Sequence, residues 1–229
     1  MLLQMIDLSK LPQLLLKKTT DKNKPKHVIL NLYPIVTTED TNKAGYQRLL
    51  TNVLSIIDTQ IENNIPILTI SLGKKENINE NVLFGEMDKF IEKANEHKIN
   101  VTIFGKWYDL KGQLVEQLKK LNSDTKEFDH FFLNFCINYD GKEEIKDASR
   151  VIVKKAIMDK KDDEVTIDLI KENIYSSFLL PPDLVIEPDT TFRGTFLWDS
   201  YNTKIFQLNK PVLDITKADV SKAIEKYSQ

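Results

Sequence analysis

The run Phe131, Phe132, Leu133, Phe135, Cys136, Ile137 and Tyr139 constrains this chain more than any other stretch. Aromatic and β-branched residues at consecutive positions suit a strand buried on both faces, as found inside a parallel sheet. The stretch from Asp129 to Ile145 then breaks at Asp140-Gly141, a turn pair. It reopens as a helix with Glu143 and Glu144 in the first turn, where carboxylates suit the helix dipole. A strand ending at a helix N-terminus leaves backbone N–H groups pointing outward, the geometry of an anion site. The same turn occurs in every βα unit, so it fixes the architecture before it fixes a function.

Strand and helix signals alternate along the rest of the chain. HVILNLY (His27–Tyr33) reads as a buried strand stopped by Pro34, and Thr37–Asp40 offers N-cap residues for the next helix. That helix carries Tyr46, Leu49, Leu50, Val53, Ile56, Ile57 and Ile61 at helical spacing. PILTISL (Pro66–Leu72) is a second strand, Val82–Lys98 an amphipathic helix, and Asn100–Phe104 a third strand ended by Gly105. Helices are expected at Leu110–Leu121, Glu143–Met158, Ile167–Ser177 and Lys217–Tyr227, with a strand at Asp183–Ile186 and a partly extended Phe196–Leu208. Five strands each followed by a helix imply an α/β fold, a mostly parallel sheet flanked by helices on both faces. Residues 1–26 are expected to form an amphipathic segment and linker, and residues 27–229 a single domain.

Several function classes lose support. Neither GxGxxG nor GxxxxGK[ST] occurs, which removes the Gly-rich nucleotide-binding signatures. A net charge of -2 argues against a nucleic-acid binder. One cysteine, Cys136, rules out a disulfide within the chain, and the scattered His27, His97 and His130 assemble no zinc cluster. No apolar stretch approaches the ~20 residues that span a bilayer. Met1–Lys18 interrupts its leucines with Asp7, Lys10 and Pro12, unlike a signal peptide. It is expected to pack on the domain, with peripheral membrane contact as the alternative. A cytoplasmic location is the corresponding expectation. Lys160–Glu164 reads as a solvated charge run, and Trp107 and Tyr108 as packing over a strand end.

Two stretches and their order go further. INYDGKEEI (Ile137–Ile145) resembles the NYGGR strand–turn–helix motif of cis-prenyltransferases, the undecaprenyl and dehydrodolichyl diphosphate synthase family. PPDLVIEPDTTFRGTFLW (Pro181–Trp198) resembles the family's PDLLIRTSGE signature and the FLLW that follows it. PKHVIL (Pro25–Leu30), NKAGYQRL (Asn42–Leu49), KEN (Lys75–Asn77) and IFG (Ile103–Gly105) resemble further family segments in the right order. The resemblance implies a six-stranded, largely parallel sheet working as a dimer.

Departures from the family pattern fall on its chemistry. Tyr33-Pro34-Ile35-Val36-Thr37-Thr38 stands where the family reads Asp-Gly-Asn-Gly-Arg-Trp, whose aspartate holds magnesium and whose glycines and arginine cradle diphosphate. Glu187 stands at the arginine of RTSGE, Asn42 at the histidine of GHKAG, and Lys74 and Lys75 at the first residues of STENW. Thr203 or Lys204 aligns with a late magnesium-binding glutamate. Ionising an allylic diphosphate needs a carboxylate-held metal and donors where charge develops. No catalytic residue and no metal ligand is therefore expected in this chain; magnesium is expected in an active partner.

Residues that shape turns and cores survive: Asn138, Tyr139, Gly141, Glu144, Phe196, Leu197 and Trp198. The pattern is similar to the non-catalytic, Nogo-B receptor-type subunits of heteromeric cis-prenyltransferases. Those often end in Arg-x-Gly, whereas this sequence ends Lys226-Tyr227-Ser228-Gln229. The resemblance thus implies a catalytic cis-prenyltransferase subunit as partner. Glu76, Asn77, Asn138 and Arg193 are the candidate substrate contacts, and Phe192, Phe196, Trp198 and Phe206 the candidate interface. Two alternatives stand beside it: an active prenyltransferase using a relocated Glu39 or Asp40, or a homodimeric scaffold that kept the fold without the chemistry.

Overall fold

The computed structural model describes residues 23–34, 42–159 and 164–229. The Met1–Lys18 segment, Thr37–Asp40 with both relocated-acid candidates, and most of the Lys160–Glu164 run lie outside them. Six strands form one sheet: β1 (His27–Asn31), β2 (Ile67–Ser71), β3 (Ile99–Phe104), β4 (Phe131–Cys136), β5 (Leu184–Glu187) and β6 (Lys204–Gln207). Their order is β3-β4-β2-β1-β5-β6, and every neighbouring pair is parallel. The helices are α1 (Lys43–Glu62), α2 (Glu80–His97), α3 (Gly112–Thr125), α4 (Gly141–Asp159), α5 (Ile167–Asn173) and α6 (Lys217–Tyr227).

Side chains alternate across the central strands with the period of two that a pleated strand imposes. Val28, Leu30, Leu68, Ile70, Phe131, Leu133 and Phe135 point into the larger core, shared with α1, α2, α3 and α6. Ile29, Ile67, Phe132, Cys136 and Val185 point the other way. There they meet Tyr139, Leu179 and Phe196 from the loops, while Tyr139 reaches the first turn of α4 through Glu144. The double-sided burial read from Phe131–Tyr139 is therefore real, since every residue of β4 is buried.

Boundaries moved where capping decided them. Asn42 caps α1, its side chain accepting from Gly45 N at 2.8 Å. Asn79 caps α2 through Val82 N at 3.2 Å, which starts that helix two residues earlier than the apolar spacing suggests. The expected helix Ile167–Ser177 stops at Asn173, and the chain from Ile174 to Leu180 instead lines the second core. Thr195–Asp199 forms turns, so only Lys204–Gln207 of the expected extended stretch joins the sheet. Among the described residues no helix is long and apolar enough to cross a membrane.

Candidate functional site

In an open parallel sheet, ligands bind in the crevice outside the carboxyl ends of the strands. Two groups of polar residues collect there. The first lies over β1 and β5. Glu187 ends β5 and is buried, and its Oε1 accepts from Asn31 Nδ2 at 2.7 Å and from Arg193 N at 2.9 Å. Arg193 Nη1 donates to Glu187 Oε2 at 3.0 Å, to Asp189 Oδ1 at 3.1 Å and to Thr191 O at 3.0 Å. Its Nη2 donates to Asp189 Oδ2 at 2.8 Å. Thr195 Oγ1 donates to Asn31 Oδ1 at 2.7 Å. One guanidinium is thus forked between two carboxylates, and Asn31 and Thr195 extend the network across β1.

Tyr33 completes this group. Its phenol oxygen accepts from Ser71 Oγ at 3.1 Å and lies 3.4 Å from Thr195 Oγ1, while the Arg193 guanidinium sits 5.9 Å from its ring centroid. Burial raises the phenol's pKa, so the side chain is a neutral donor and acceptor at physiological pH. Burial also raises the Glu187 pKa, a rise that hydrogen bonds from Arg193 and Asn31 oppose. Asp189 is more exposed and is held down at about 2 by Arg193.

The second group surrounds a pocket of about 360 Å³ over β2, β3 and β4, lined by residues that include Lys74, Lys106, Asn138, Asp140, Glu143 and Tyr175. Gly105 and Asn138 bring the strand ends together through left-handed backbone, φ +101° and 51°. A Cβ on Gly105 would come within 2.5 Å of Ile137 O, so only glycine fits. Both lysines are spoken for: Lys74 pairs with Asp140 at 2.6 Å, and Lys106 with Glu143 at 2.6 Å.

The expected site residues fall as follows. Asn77 Nδ2 donates to Pro34 O at 2.8 Å, and its Oδ1 accepts from Lys74 N at 2.9 Å. Asn138 Nδ2 donates to Lys106 O at 2.9 Å, and its Oδ1 accepts from Lys75 N at 3.1 Å. Both amides hold main chain together. Glu76 is exposed in the short 3-10 turn Lys75–Asn77. Arg193 belongs to the other group. Asp189 and Asn31 were not foreseen as site residues. The spacing Asp189…Arg193, four apart beside a strand end carrying Glu187, is the signal that could have found the fork.

One of the expected interface residues needs correction. Phe196 is 1% exposed and packs edge-on against Tyr139 and Phe104 within the chain's own second core. Phe206 is half-buried on edge strand β6, against the main core, with the Lys226 ammonium 5.2 Å from its ring. Phe192 is exposed and Trp198 half-buried.

Among the described residues, the donor set over β1 does not fit a magnesium ion. A hard divalent cation takes carboxylate oxygens, but a phenol stands at the end of β1 and both nearby carboxylates are already bound by Arg193. Among the described residues no group of three or more His, Cys, Asp or Glu is placed to hold a metal.

An all-parallel six-stranded sheet in this order, with its polar residues gathered over the carboxyl ends of β1, β2, β4 and β5, places the molecule in a defined class of α/β proteins. The lavandulyl diphosphate synthase from Lavandula x intermedia, solved in complex with dimethylallyl diphosphate, superposes with a TM-score of 0.81 at 18% identity, covering 91% of this chain and 97% of that one. A probable undecaprenyl diphosphate synthase from Campylobacter jejuni gives 0.66 at 19% identity, over 89% and 95%. The family model "Putative undecaprenyl diphosphate synthase" matches residues 36–229, and the chain belongs to this cis-prenyltransferase family. An isoprenyl transferase of Thermotoga maritima is 31% identical over 150 residues, and the match spans 64% of each chain. A tritrans,polycis-undecaprenyl-diphosphate synthase (geranylgeranyl-diphosphate specific) of Sulfurisphaera tokodaii is 27% identical over 85% of this chain and 78% of its own.

Proposed function

We propose that this chain is a non-catalytic accessory subunit of a heteromeric cis-prenyltransferase that makes long-chain polyprenyl diphosphate from isopentenyl diphosphate. One observation carries the reading: the cation best placed to receive a phosphate, Arg193, is consumed by Glu187 and Asp189. A diphosphate entering over β1 would have to displace a buried carboxylate from its only guanidinium and would meet that carboxylate's own charge. Magnesium does not relieve the clash, because Tyr33 supplies no carboxylate at the point where the resemblance places the metal. The fold is retained around a site closed upon itself, and the chemistry belongs to a partner that keeps the aspartate, the metal and the free arginines.

The test is incorporation of labelled isopentenyl diphosphate onto an allylic primer with magnesium. The chain is assayed alone and co-expressed with a cis-prenyltransferase of the same organism that carries the full aspartate motif. We expect no turnover alone, and activity in the pair well above that of the synthase by itself. Turnover by the isolated chain would overturn the proposal.

A further inference from the structure

The pocket of about 360 Å³ over β2, β3 and β4 takes no part in the network around Arg193, and its walls carry charges of both signs. Lys74 and Lys106 line it together with Asp109, Asp140 and Glu143. A ligand bearing only negative charge would meet three carboxylates there, and one bearing only positive charge would meet two ammonium groups. Like charges repel strongly at such short range once water is excluded. A small molecule carrying one charge of each sign meets an opposite charge at either end, and the volume suits a compact ligand.

The two lysines are available in a way that Arg193 is not. Lys74 and Asp140 pair at 2.6 Å with side chains 50% and 24% exposed, and Lys106 and Glu143 at 2.6 Å with 30% and 41%. Pairs that far into solvent hold weakly. Each carboxylate also keeps a partner when its lysine turns away. Asp140 Oδ1 accepts from Lys142 N at 2.8 Å, and Glu143 is paired with Lys146. Glu187, by contrast, is buried with Arg193 as its one cation among the described residues. Among the acids of the pocket, Asp109 differs from the other two. Lys75 Nζ donates to its main-chain oxygen at 2.6 Å, but its exposed carboxylate has no ion-pair partner among the described residues. The pocket thus presents one carboxylate without a cation and two ammonium groups that can be recruited. Its frame is already assembled, because Asn138 ties Lys106 O to Lys75 N, at 2.9 Å and 3.1 Å, across the ends of β2, β3 and β4.

We propose that this pocket binds a small zwitterion of the amino-carboxylate class, with its ammonium at the Asp109 carboxylate and its carboxylate at Lys106 and Lys74. Tyr175, whose hydroxyl donates to Asp147, supplies apolar wall for the carbon chain between the two charges. The site does not depend on the accessory-subunit reading.

Calorimetric titration of the full chain with glycine, β-alanine and γ-aminobutyrate tests it, since the three differ in the spacing between their charges. Acetate and methylammonium serve as the single-charge halves. At least one of the three amino acids should bind in the millimolar range or tighter and at least tenfold more tightly than either half. The same ligand should shift the amide resonances of Gly105, Lys106 and Asn138. Asp109→Asn and Lys106→Met should each weaken that binding at least tenfold while melting like wild type. Asp109→Asn, a nearly isosteric change at an exposed position, keeps the test decisive if Lys106→Met folds poorly. Acetate or methylammonium binding as tightly as the amino acids would overturn the proposal. Unchanged affinity in Asp109→Asn, or no binding of any of the three up to about 100 mM, would do the same.

Discussion

Removing the Arg193 guanidinium tests whether the region over β1 and β5 is a closed structural unit. In Arg193→Met the Glu187 carboxylate keeps its bonds from Asn31 Nδ2 and the main chain at 193 but loses its only cationic partner among the described residues. Glu187 is 1% exposed and the Arg193 side chain 13%, so solvent screens this pair little. The Asp189 arm is half in water and contributes less than about 1 kcal/mol. Breaking a buried pair from one side costs about 3–5 kcal/mol. The two remaining hydrogen bonds and the option of protonating Glu187 hold the cost near the lower end, about 3 kcal/mol at neutral pH. Urea denaturation at pH 7 measures it directly. Because burial already raises the Glu187 pKa, the loss should shrink as pH falls and the variant carboxylate takes up a proton. A double-mutant cycle with Glu187→Gln should return a coupling of about 2–3 kcal/mol, since the single variants leave opposite orphans. A loss under about 1 kcal/mol with no coupling would show that the guanidinium is free, and the argument that it cannot serve a phosphate would go with it.

Three further outcomes follow from the same geometry. His27 is buried, its Nδ1 donating to Leu180 O and its Nε2 accepting from Thr69 Oγ1, and burial depresses its pKa from 6.5 to about 4. Its contribution is therefore whole above pH 6.5 and falls away toward pH 4, by about 3 kcal/mol in all; the stability difference between wild type and His27→Gln across that window isolates it from the opposing slope of the raised carboxyls Glu144 and Glu187. Gly141→Ala would push a Cβ to 2.2 Å from Gly194 O and should cost about 1–3 kcal/mol or more, read as a lowered melting temperature with α4 content unchanged by circular dichroism. Tyr33→Asp should give no magnesium-dependent turnover in the labelled-substrate assay, because Arg193 stays bound by Glu187 and Asp189; turnover restored by that single change would show the site was one residue from activity.

The fold was legible because its signals are strong and local. Double-sided apolar runs such as Phe131–Cys136 have no alternative to a buried strand, and β1 and β2 came within a residue or two of their bounds, while β4 ends three residues before the expected Tyr139. The stretch from Phe196 to Leu208 was harder, since Phe196 reads as an exposed interface aromatic in any pattern-based view. Its left-handed backbone, φ 48°, and its burial against Tyr139 depend on contacts 57 residues away. For the site, the sequence offered only the resemblance, in which Tyr33 and Glu187 stand where the family pattern has an acid and a base. What replaced the chemistry was not legible. Asn31, Glu187, Asp189, Arg193 and Thr195 meet only because β1 and β5 pair in the register Val28–Leu184, and no sequence period carries that register.

The departures over β1 form a set rather than a scatter of losses. A site built to receive a diphosphate must hold cations without anions until its ligand arrives, and unpaired like charges weaken a resting fold. Here Glu187 answers Arg193 from within the strand, Asp189 answers it from the loop, and Tyr33 lays a neutral ring beneath the guanidinium. Each change makes the next tolerable: with Glu187 in place, an aspartate at position 33 would add a second anion to a buried one, and tyrosine removes that repulsion. The Tyr33 phenol gives Ser71 and Thr195 a neutral partner. Such mutual satisfaction holds the carboxyl ends of β1 and β5 together without a bound ligand.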